Sequence, residues 1–162
     1  MKKTAFLVIL LIVLIAIFAD KNAFSTEVQI DKLVWQRLNV GASNADLVGI
    51  LFSYDEALTA CPEGYRLPTR FEYESLIKNR SKTVNYQNYI GRWFTGKTKY
   101  DEANAKIFLP RTFFKSKYDS GYYWSSTKLD DKYAYCLNFN SANVAVNYTN
   151  RMNKMSVRCV KK

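Results

Sequence analysis

Two capped helices followed by a run of short strands constrain this chain more than any other feature of its sequence. Glu56 lies three residues after Ser53, and Glu72 lies three residues after Thr69. Each pair is a capping box, in which the hydroxyl accepts a bond from a free N–H of the first helical turn and the glutamate bonds back to the cap. The spacing therefore predicts two short helices, each beginning after a capping hydroxyl.

The predicted helices cover about residues 54–60 and 70–79. In the second helix, the apolar spacing turns Phe71 and Leu76 toward the core, with Tyr73 beside them. The tryptophans at positions 35 and 124 lie in strand-like segments, where we expect them to be part of the core.

Short β-type runs fill the last third of the chain. Four runs rich in aromatic and β-branched residues are separated by turn-forming residues: "GYYWSST", "YAYCLNF", "NVAVNYT" and "MSVRCVK". They predict a meander of about four strands, and residues 31–41 predict an opening strand. Because the helices precede the strands and do not alternate with them, the expected fold class is α+β. It has two short helices flanking a small, mostly antiparallel sheet.

The N-terminal residues have the pattern of a secretory signal peptide. Two lysines precede an unbroken apolar stretch at residues 5–19, and small residues follow at 23–25. We expect a leader over 1–25 and a single domain over 26–162. The alternative is an uncleaved N-terminal anchor, although the apolar stretch is short against the roughly 20 residues of a membrane span. Either way the domain is extracytoplasmic: secreted, periplasmic or on the cell surface, and membrane-attached only if the segment is retained.

The positive charge is concentrated in one segment, residues 78–117. It holds ten basic residues and only two acids, whereas the rest of the expected domain has eleven residues of each sign. Eight aromatic residues are interleaved with the cations. This basic insert is expected to be a long irregular region.

A local cluster of cations and aromatic side chains can hold a polyanion. Outside the cytoplasm we expect an acidic polysaccharide or a protein partner in place of nucleic acid. The contact residues proposed from the sequence are Arg92, Trp93, Lys97 and Lys99. The alternative is a solvated basic loop with no dedicated ligand.

The chain has no histidine, which removes the commonest general base at neutral pH and the commonest metal ligand. The adjacent carboxylates of Asp130 and Asp131 are expected to form a hydrated turn. We therefore expect a protein that is not an enzyme and needs no cofactor or metal.

Four ordered motifs resemble known families: "LVWQR" (33–37), "SYDEALTACPEGYRLPTRFEYESLI" (53–77), "YYWSST" (122–127) and "SVRCVK" (156–161). The chain resembles the Fibrobacter succinogenes major paralogous domain and the C-terminal domain of Legionella collagen-like proteins. The resemblance implies a C-type-lectin-like fold, which formylglycine-generating enzymes share. It also implies a non-catalytic binding domain of the adhesin kind, with an association to host or extracellular polysaccharide. The alternative is a structural or assembly protein of the bacterial envelope that binds protein partners.

The resemblance also implies a disulfide between Cys61 and Cys159, joining the region of the first helix to the last strand. The residues alone leave a pairing of Cys136 with Cys159 open, since both lie in apparent strands. If Cys61 pairs with Cys159, Cys136 is left unpaired. We then expect it to be a packed thiol, with a reactive or intermolecular thiol as the alternative. The copper-binding cysteine pair of the formylglycine enzymes would require Cys136 and Cys159 to act together.

Overall fold

The computed structural model describes residues 26–43, 47–96, 105–114 and 117–162, so the expected leader over 1–25 lies outside the described residues. In chain order the elements are β1 Glu27–Ile30, β2 Leu33–Gln36, β3 Leu51–Phe52, α1 Tyr54–Ala57, β4 Tyr65–Arg66, α2 Arg70–Ile77, β5 Arg80–Tyr86, β6 Tyr89–Thr95, β7 Lys106–Pro110, β8 Thr112–Phe114, β9 Lys117–Lys128, β10 Tyr133–Phe139, β11 Val144–Asn150, β12 Met155–Ser156 and β13 Val160–Lys161. The domain is therefore α+β and mostly β. Within these described ranges, no helix has the length and apolar character to span a membrane.

Three sheets make up the described part of the domain. The first has the strand order β1-β2-β13-β4, so the start and the end of the domain pair with each other. The second has the order β11-β10-β9-β12-β3, with β8 added against β9. The third is an antiparallel sheet with the order β5-β6-β7. Among the described strands the pairings are antiparallel, except for the short parallel contact between β12 and β9.

Both predicted helix starts are confirmed, and both helices are shorter than predicted. Each hydroxyl–glutamate pair forms its capping box in the structure. The last turns tighten to three-residue bonds, such as Ala60 N–H to the Ala57 carbonyl and Asn79 N–H to the Leu76 carbonyl. The α-helices accordingly end at Ala57 and Ile77.

One residue expected in the core is exposed. Tyr73 and Leu76 are buried, as predicted, but Phe71 is 70% exposed. Two residues along a helix is a rotation of about 200°, which places Phe71 on the face opposite Tyr73. The prediction for Phe71 was wrong because it required one apolar stripe to include a residue from the other side of the helix.

The predicted runs do form strands, but the structure contains more strands than the sequence predicted. The opening strand is the second half of a β1–β2 hairpin, whose turn begins at Asp31 with a φ of 53°. The run "MSVRCVK" is not one strand. It divides into β12 and β13, which belong to different sheets, with the buried residues 157–159 between them.

The basic insert is not an irregular loop, which corrects the expectation from the sequence. Most of its described residues form the three-stranded β5-β6-β7 sheet, in which β5 and β6 pair in an unbroken register from the Arg80–Thr95 pair to the Tyr86–Tyr89 pair. Gln87 has a φ of 49° and Asn88 a φ of 66°. Two consecutive residues with positive φ are typical of a tight type I′ hairpin turn.

Two core clusters lie beneath these sheets, and each contains one of the expected tryptophans. Trp35 packs 5.8 Å from Tyr73 of α2, between ring centroids, and belongs to the cluster that the basic sheet also covers. Trp124 packs 5.5 Å from Tyr54 in the second cluster. Both tryptophans are fully buried, so the prediction that they are core residues is confirmed.

Candidate functional site: a basic aromatic cleft

The register of the basic sheet decides which side chains share a face. Trp93 of β6 lies between Lys82 of β5 and Phe108 of β7. In the next row, Arg80 and Lys106 lie on either side of a threonine. Side chains alternate between the two faces of a strand, so these residues all lie on one side of the sheet.

The opposite face of the same sheet is apolar along β7 and at Phe94 of β6. Phe94, Ile107 and Leu109 are fully buried there and belong to the first core cluster. The sheet is therefore anchored to the domain by one face and presents the other, basic face outward.

Three aromatic rings form the centre of the outward face. The ring centroids of Tyr86, Trp93 and Phe108 lie 5.1 to 5.4 Å apart, in tilted or edge-to-face contacts. Lys106 Nζ lies 4.9 Å from the Trp93 ring centroid. A cation over an aromatic face contributes on the order of 0.5–1 kcal/mol at an exposed site, so Lys106 is held against the ring.

A cleft of about 390 Å³ lies between this face and the segment that follows β2. Its described lining includes the three aromatic rings and three cations, Arg37, Lys106 and Arg158, but no carboxylate. Arg37 Nη1 lies 3.5 Å from the Lys106 carbonyl oxygen, which links the two walls. The volume is within the usual range of ligand sites, and the charge of the lining favours an anion.

Arg158 forms the floor of this cleft and is only 1% exposed. Its guanidinium donates twice to Asn39 Oδ1, at 2.9 and 2.7 Å, and to the carbonyl of Phe108 at 3.0 Å. Two further bonds reach the carbonyls of Gln36 and Arg37. These five hydrogen bonds use all five N–H donors of the guanidinium. They join β2, the loop that follows β2, and β7.

The four acceptors of these bonds, Asn39 Oδ1 and three backbone carbonyls, are all neutral oxygens, so no carboxylate is among the hydrogen-bond partners of Arg158. Burial lowers the pKa of Arg158 to about 10, which still leaves the side chain protonated at neutral pH. A buried cation held by dipoles adds positive potential to the cleft above it.

The four contact residues proposed from the sequence separate in the structure. Trp93 lies in the cleft, whereas its neighbour Arg92 lies on the opposite face of β6. Arg92 Nε donates to Ser81 Oγ at 3.0 Å, and Nη1 donates to the Asn140 carbonyl at 3.0 Å. Burial lowers the pKa of Arg92. Its observed contacts secure the turn between β10 and β11; Lys97 and Lys99 lie outside the described residues, and a ligand contact by any of the four remains a prediction.

Arg37 and Arg158 were missed as site residues. Each lies in a motif that also carries the family resemblance, "LVWQR" and "SVRCVK". The signal was an arginine beside buried-type apolar residues in a strand-like segment, which favours a buried or specifically held cation. Lys106, Tyr86 and Phe108 lay in the basic insert but were not distinguished from its other residues.

The cysteine pairing agrees with the resemblance. Cys61 and Cys159 form a disulfide, with an Sγ–Sγ distance of 2.09 Å, so the alternative pairing of Cys136 with Cys159 is wrong. Cys136 is a free thiol, 1% exposed, and burial raises its pKa to about 12. A thiol that stays protonated and buried is poorly nucleophilic, which favours the packed interpretation over the reactive one.

The "RLPT" motif has structural contacts. Arg66 binds Glu72 through two nitrogen–oxygen contacts of 2.7 and 2.8 Å, and Thr69 caps α2. Burial opposes ionisation of Glu72, but the bonds from Arg66 and Thr69 outweigh it and lower its pKa. These contacts fix the start of α2.

The two aspartates expected in a turn occupy one. Asp130 Oδ1 accepts from the backbone N–H groups of Lys132 and Tyr133, at 2.8 and 2.7 Å. Asp131 pairs with Lys128. Across the described ranges, no group of three or more carboxylates or cysteines is arranged to hold a metal ion.

Together these features define a small α+β domain, with paired terminal strands, two capped helices and a basic aromatic cleft. The chain belongs to the Lcl C-terminal domain family, whose sequence model matches residues 28–161. This is the second of the two families that the motifs resemble. No curated protein and no solved structure matched the chain.

Proposed function

We propose that this protein is an extracytoplasmic, non-catalytic binding domain whose cleft holds an acidic polysaccharide, as an adhesin would. The observation that carries the proposal is the lining of the cleft. Three cations and three aromatic rings converge on it, and its described lining contains no carboxylate.

Each part of the lining suits a charged sugar chain. Lys106 and Arg37 supply positive charge near the surface, and Arg158 supplies it from below. An aromatic ring packs against the apolar C–H face of a pyranose, and the Tyr86–Trp93–Phe108 cluster offers such a surface beside the cations. Nucleic acid is the less suitable polyanion because we place the domain outside the cytoplasm.

Two features support the location and the fold. The Cys61–Cys159 disulfide is the kind of bond that persists in an oxidising compartment. Pairing of the terminal strands β2 and β13, together with two short helices, is what a C-type-lectin-like arrangement requires. The proposal of a non-catalytic role follows from the lack of histidine in the sequence.

Binding of the full-length protein to an immobilised sulfated or uronate polysaccharide at physiological salt tests the proposal. Lys106→Gln should weaken binding several-fold, because it removes a cation from the cleft. Lys154→Gln is the matched control, since it removes one positive charge from an exposed side chain that pairs with Glu56 outside the cleft. An equal loss in both variants would mean that binding reflects net charge alone and would contradict the proposal.

A further inference from the structure

The strand β11 is an edge strand without the usual protection. It forms the end of the second sheet and pairs with β10 over all seven residues, in a register with no bulge. Its sequence, Val-Ala-Val-Asn-Tyr-Thr-Asn, contains no charge, proline or glycine. Long edge strands normally carry such residues because their free backbone groups would otherwise pair with another chain.

The edges of the basic sheet show the contrast. β5 carries the exposed cations Arg80 and Lys82, and β7 carries Lys106 and Pro110. Three edge strands in the described part of the chain have five or more residues: β5, β7 and β11. Of these, β11 alone contains neither a charged residue nor a proline.

Hydrogen bonds at both ends of β11 show which backbone groups point outward. Asn140 N–H donates to the Asn143 carbonyl, and Arg151 N–H donates to the Lys132 carbonyl. Both contacts belong to closely bonded pairs of the antiparallel ladder, and such pairs recur at every second position. The odd-numbered residues of β11 therefore bond to β10, and Val146 and Tyr148 direct their N–H and C=O groups away from it.

We propose that two copies of this chain pair through β11, antiparallel, with the two-fold axis at Asn147. Outward backbone groups meet only if even-numbered residues face even-numbered residues. Of the registers that satisfy this condition, the one centred on Asn147 alone pairs all seven residues. It opposes Val146 to the partner's Tyr148, and Tyr148 to the partner's Val146.

The side chains of β11 are self-complementary in this register. An aromatic residue opposite a β-branched one stabilises a sheet, and the two-fold axis repeats that pair twice. Tyr148 is 58% exposed in the single chain and would be covered. The protein carries a formal net charge of +10, so two copies repel each other over most of their surfaces, but the uncharged β11 brings no like charges together.

This assembly does not depend on the proposed ligand. It does place two clefts in one particle, which would raise the avidity for a repeating polymer without any new contact to it. A strand from a different protein could also pair with such an edge, and the experiment below separates that outcome from the proposed one.

Cysteine cross-linking in the full-length protein tests the register. Ala145 and Thr149 face each other across the proposed interface, in pairs whose Cα atoms should lie about 4.5 Å apart. That separation permits a disulfide. An oxidised mixture of Ala145→Cys and Thr149→Cys chains should form a linked dimer.

Each cysteine variant alone is its own control. Identical positions lie four residues apart along the strands, roughly 13 Å, so neither variant should cross-link with itself. A mixture that yields no more dimer than the separate variants would overturn the proposal. That result is also the one expected if the edge takes up a strand from another protein.

An edge-blocking variant gives a second readout. Asn147 is exposed, and Asn147→Lys places two lysines opposite each other at the axis, so the linked dimer should be lost. Asn85→Lys adds the same charge at an exposed position of β5 and should leave it unchanged. Linked dimer that persists with Asn147→Lys, while circular dichroism shows an intact fold, would contradict pairing through β11.

Discussion

Arg158 and Asn39 form a buried pair at the floor of the cleft, although 119 residues separate them in the chain. Two guanidinium nitrogens of Arg158 share the Oδ1 atom of Asn39, and the amide nitrogen of Asn39 donates onward to the Leu47 and Val48 carbonyls. This relay fixes the segment after β2 against the end of the chain. The shape of the cleft therefore depends on two residues that need not touch a ligand.

Replacing Arg158 should destabilise the fold strongly. Arg158→Met removes the donors for Asn39 Oδ1 and for three backbone carbonyls, and a buried acceptor left without a partner costs about 1–3 kcal/mol. We expect a loss of at least about 3 kcal/mol in the free energy of unfolding, measured by urea denaturation. Arg158→Lys should retain part of the stability, because an ammonium supplies three donors. A stability of Arg158→Met within 1 kcal/mol of the original protein would contradict this role.

Reducing the disulfide should also be costly. Cys61 and Cys159 are 98 residues apart, and in the chain-entropy model a loop of that length contributes roughly 4 to 5 kcal/mol. We expect a reductant to lower the denaturation midpoint of the original protein and of Cys136→Ala by the same amount. The double variant Cys61→Ala/Cys159→Ala should be insensitive to the reductant. Reductant sensitivity that disappears with Cys136→Ala would contradict the pairing.

Substitutions at the neighbours Arg92 and Trp93 should have separable effects. Trp93→Ala should weaken polysaccharide binding, because it removes the central ring of the aromatic cluster. Arg92→Gln should leave binding largely unchanged and lower stability by roughly 1–2 kcal/mol, since it loses charged hydrogen bonds to Ser81 and Asn140. Parallel binding and unfolding measurements distinguish the two. The reverse pattern would contradict the cleft as the binding site.

Acid should destabilise the protein in part through Glu56. A hydrogen bond from Lys154 and bonds from Ser53 lower the pKa of Glu56 from 4.5 to about 2. Because the folded state holds this proton less tightly, the unfolded state binds more protons between these pH values. The contribution of Glu56 is thus present above pH 4.5 and is lost as the pH falls toward 2.

Unfolding measured from pH 6 to 2 checks this expectation, with the exposed Glu63 as the control position. Glu56→Gln should flatten the acid dependence relative to the original protein, whereas Glu63→Gln should leave it unchanged. The same acid profile for all three proteins would mean that the capping box of α1 does not contribute to the pH response.

The helix caps and the alternation of side chains along a strand could be predicted from the sequence, because the residues involved are close together in the chain. Thr69 and Glu72 are one helical turn apart, and their reciprocal bonds need no other part of the protein. The alternation in "YAYCLNF" likewise separates Cys136 from Leu137, and the two lie in different core clusters. The strands around them were recognisable for the same reason.

The arrangement of the basic insert was not predictable in this way. Its strands mix polar and apolar residues, because one face covers the core and the other carries cations. The turn at Gln87 and Asn88 lacks the glycine that usually marks a tight hairpin. Without that mark the segment was interpreted as irregular, and Arg92 and Trp93 were expected to act together.

The sequence by itself determined the fold class, the starts of both helices, the two core tryptophans and the local excess of positive charge. Tertiary structure alone decided which cations meet. Arg158 reaches Phe108 and Arg37 across separations of 50 and 121 residues, and the register of β6 with its neighbours turns Trp93 toward them and Arg92 away. A shift of one residue in that register would exchange the two faces, so the cleft depends on long-range strand pairing that no short stretch of sequence encodes.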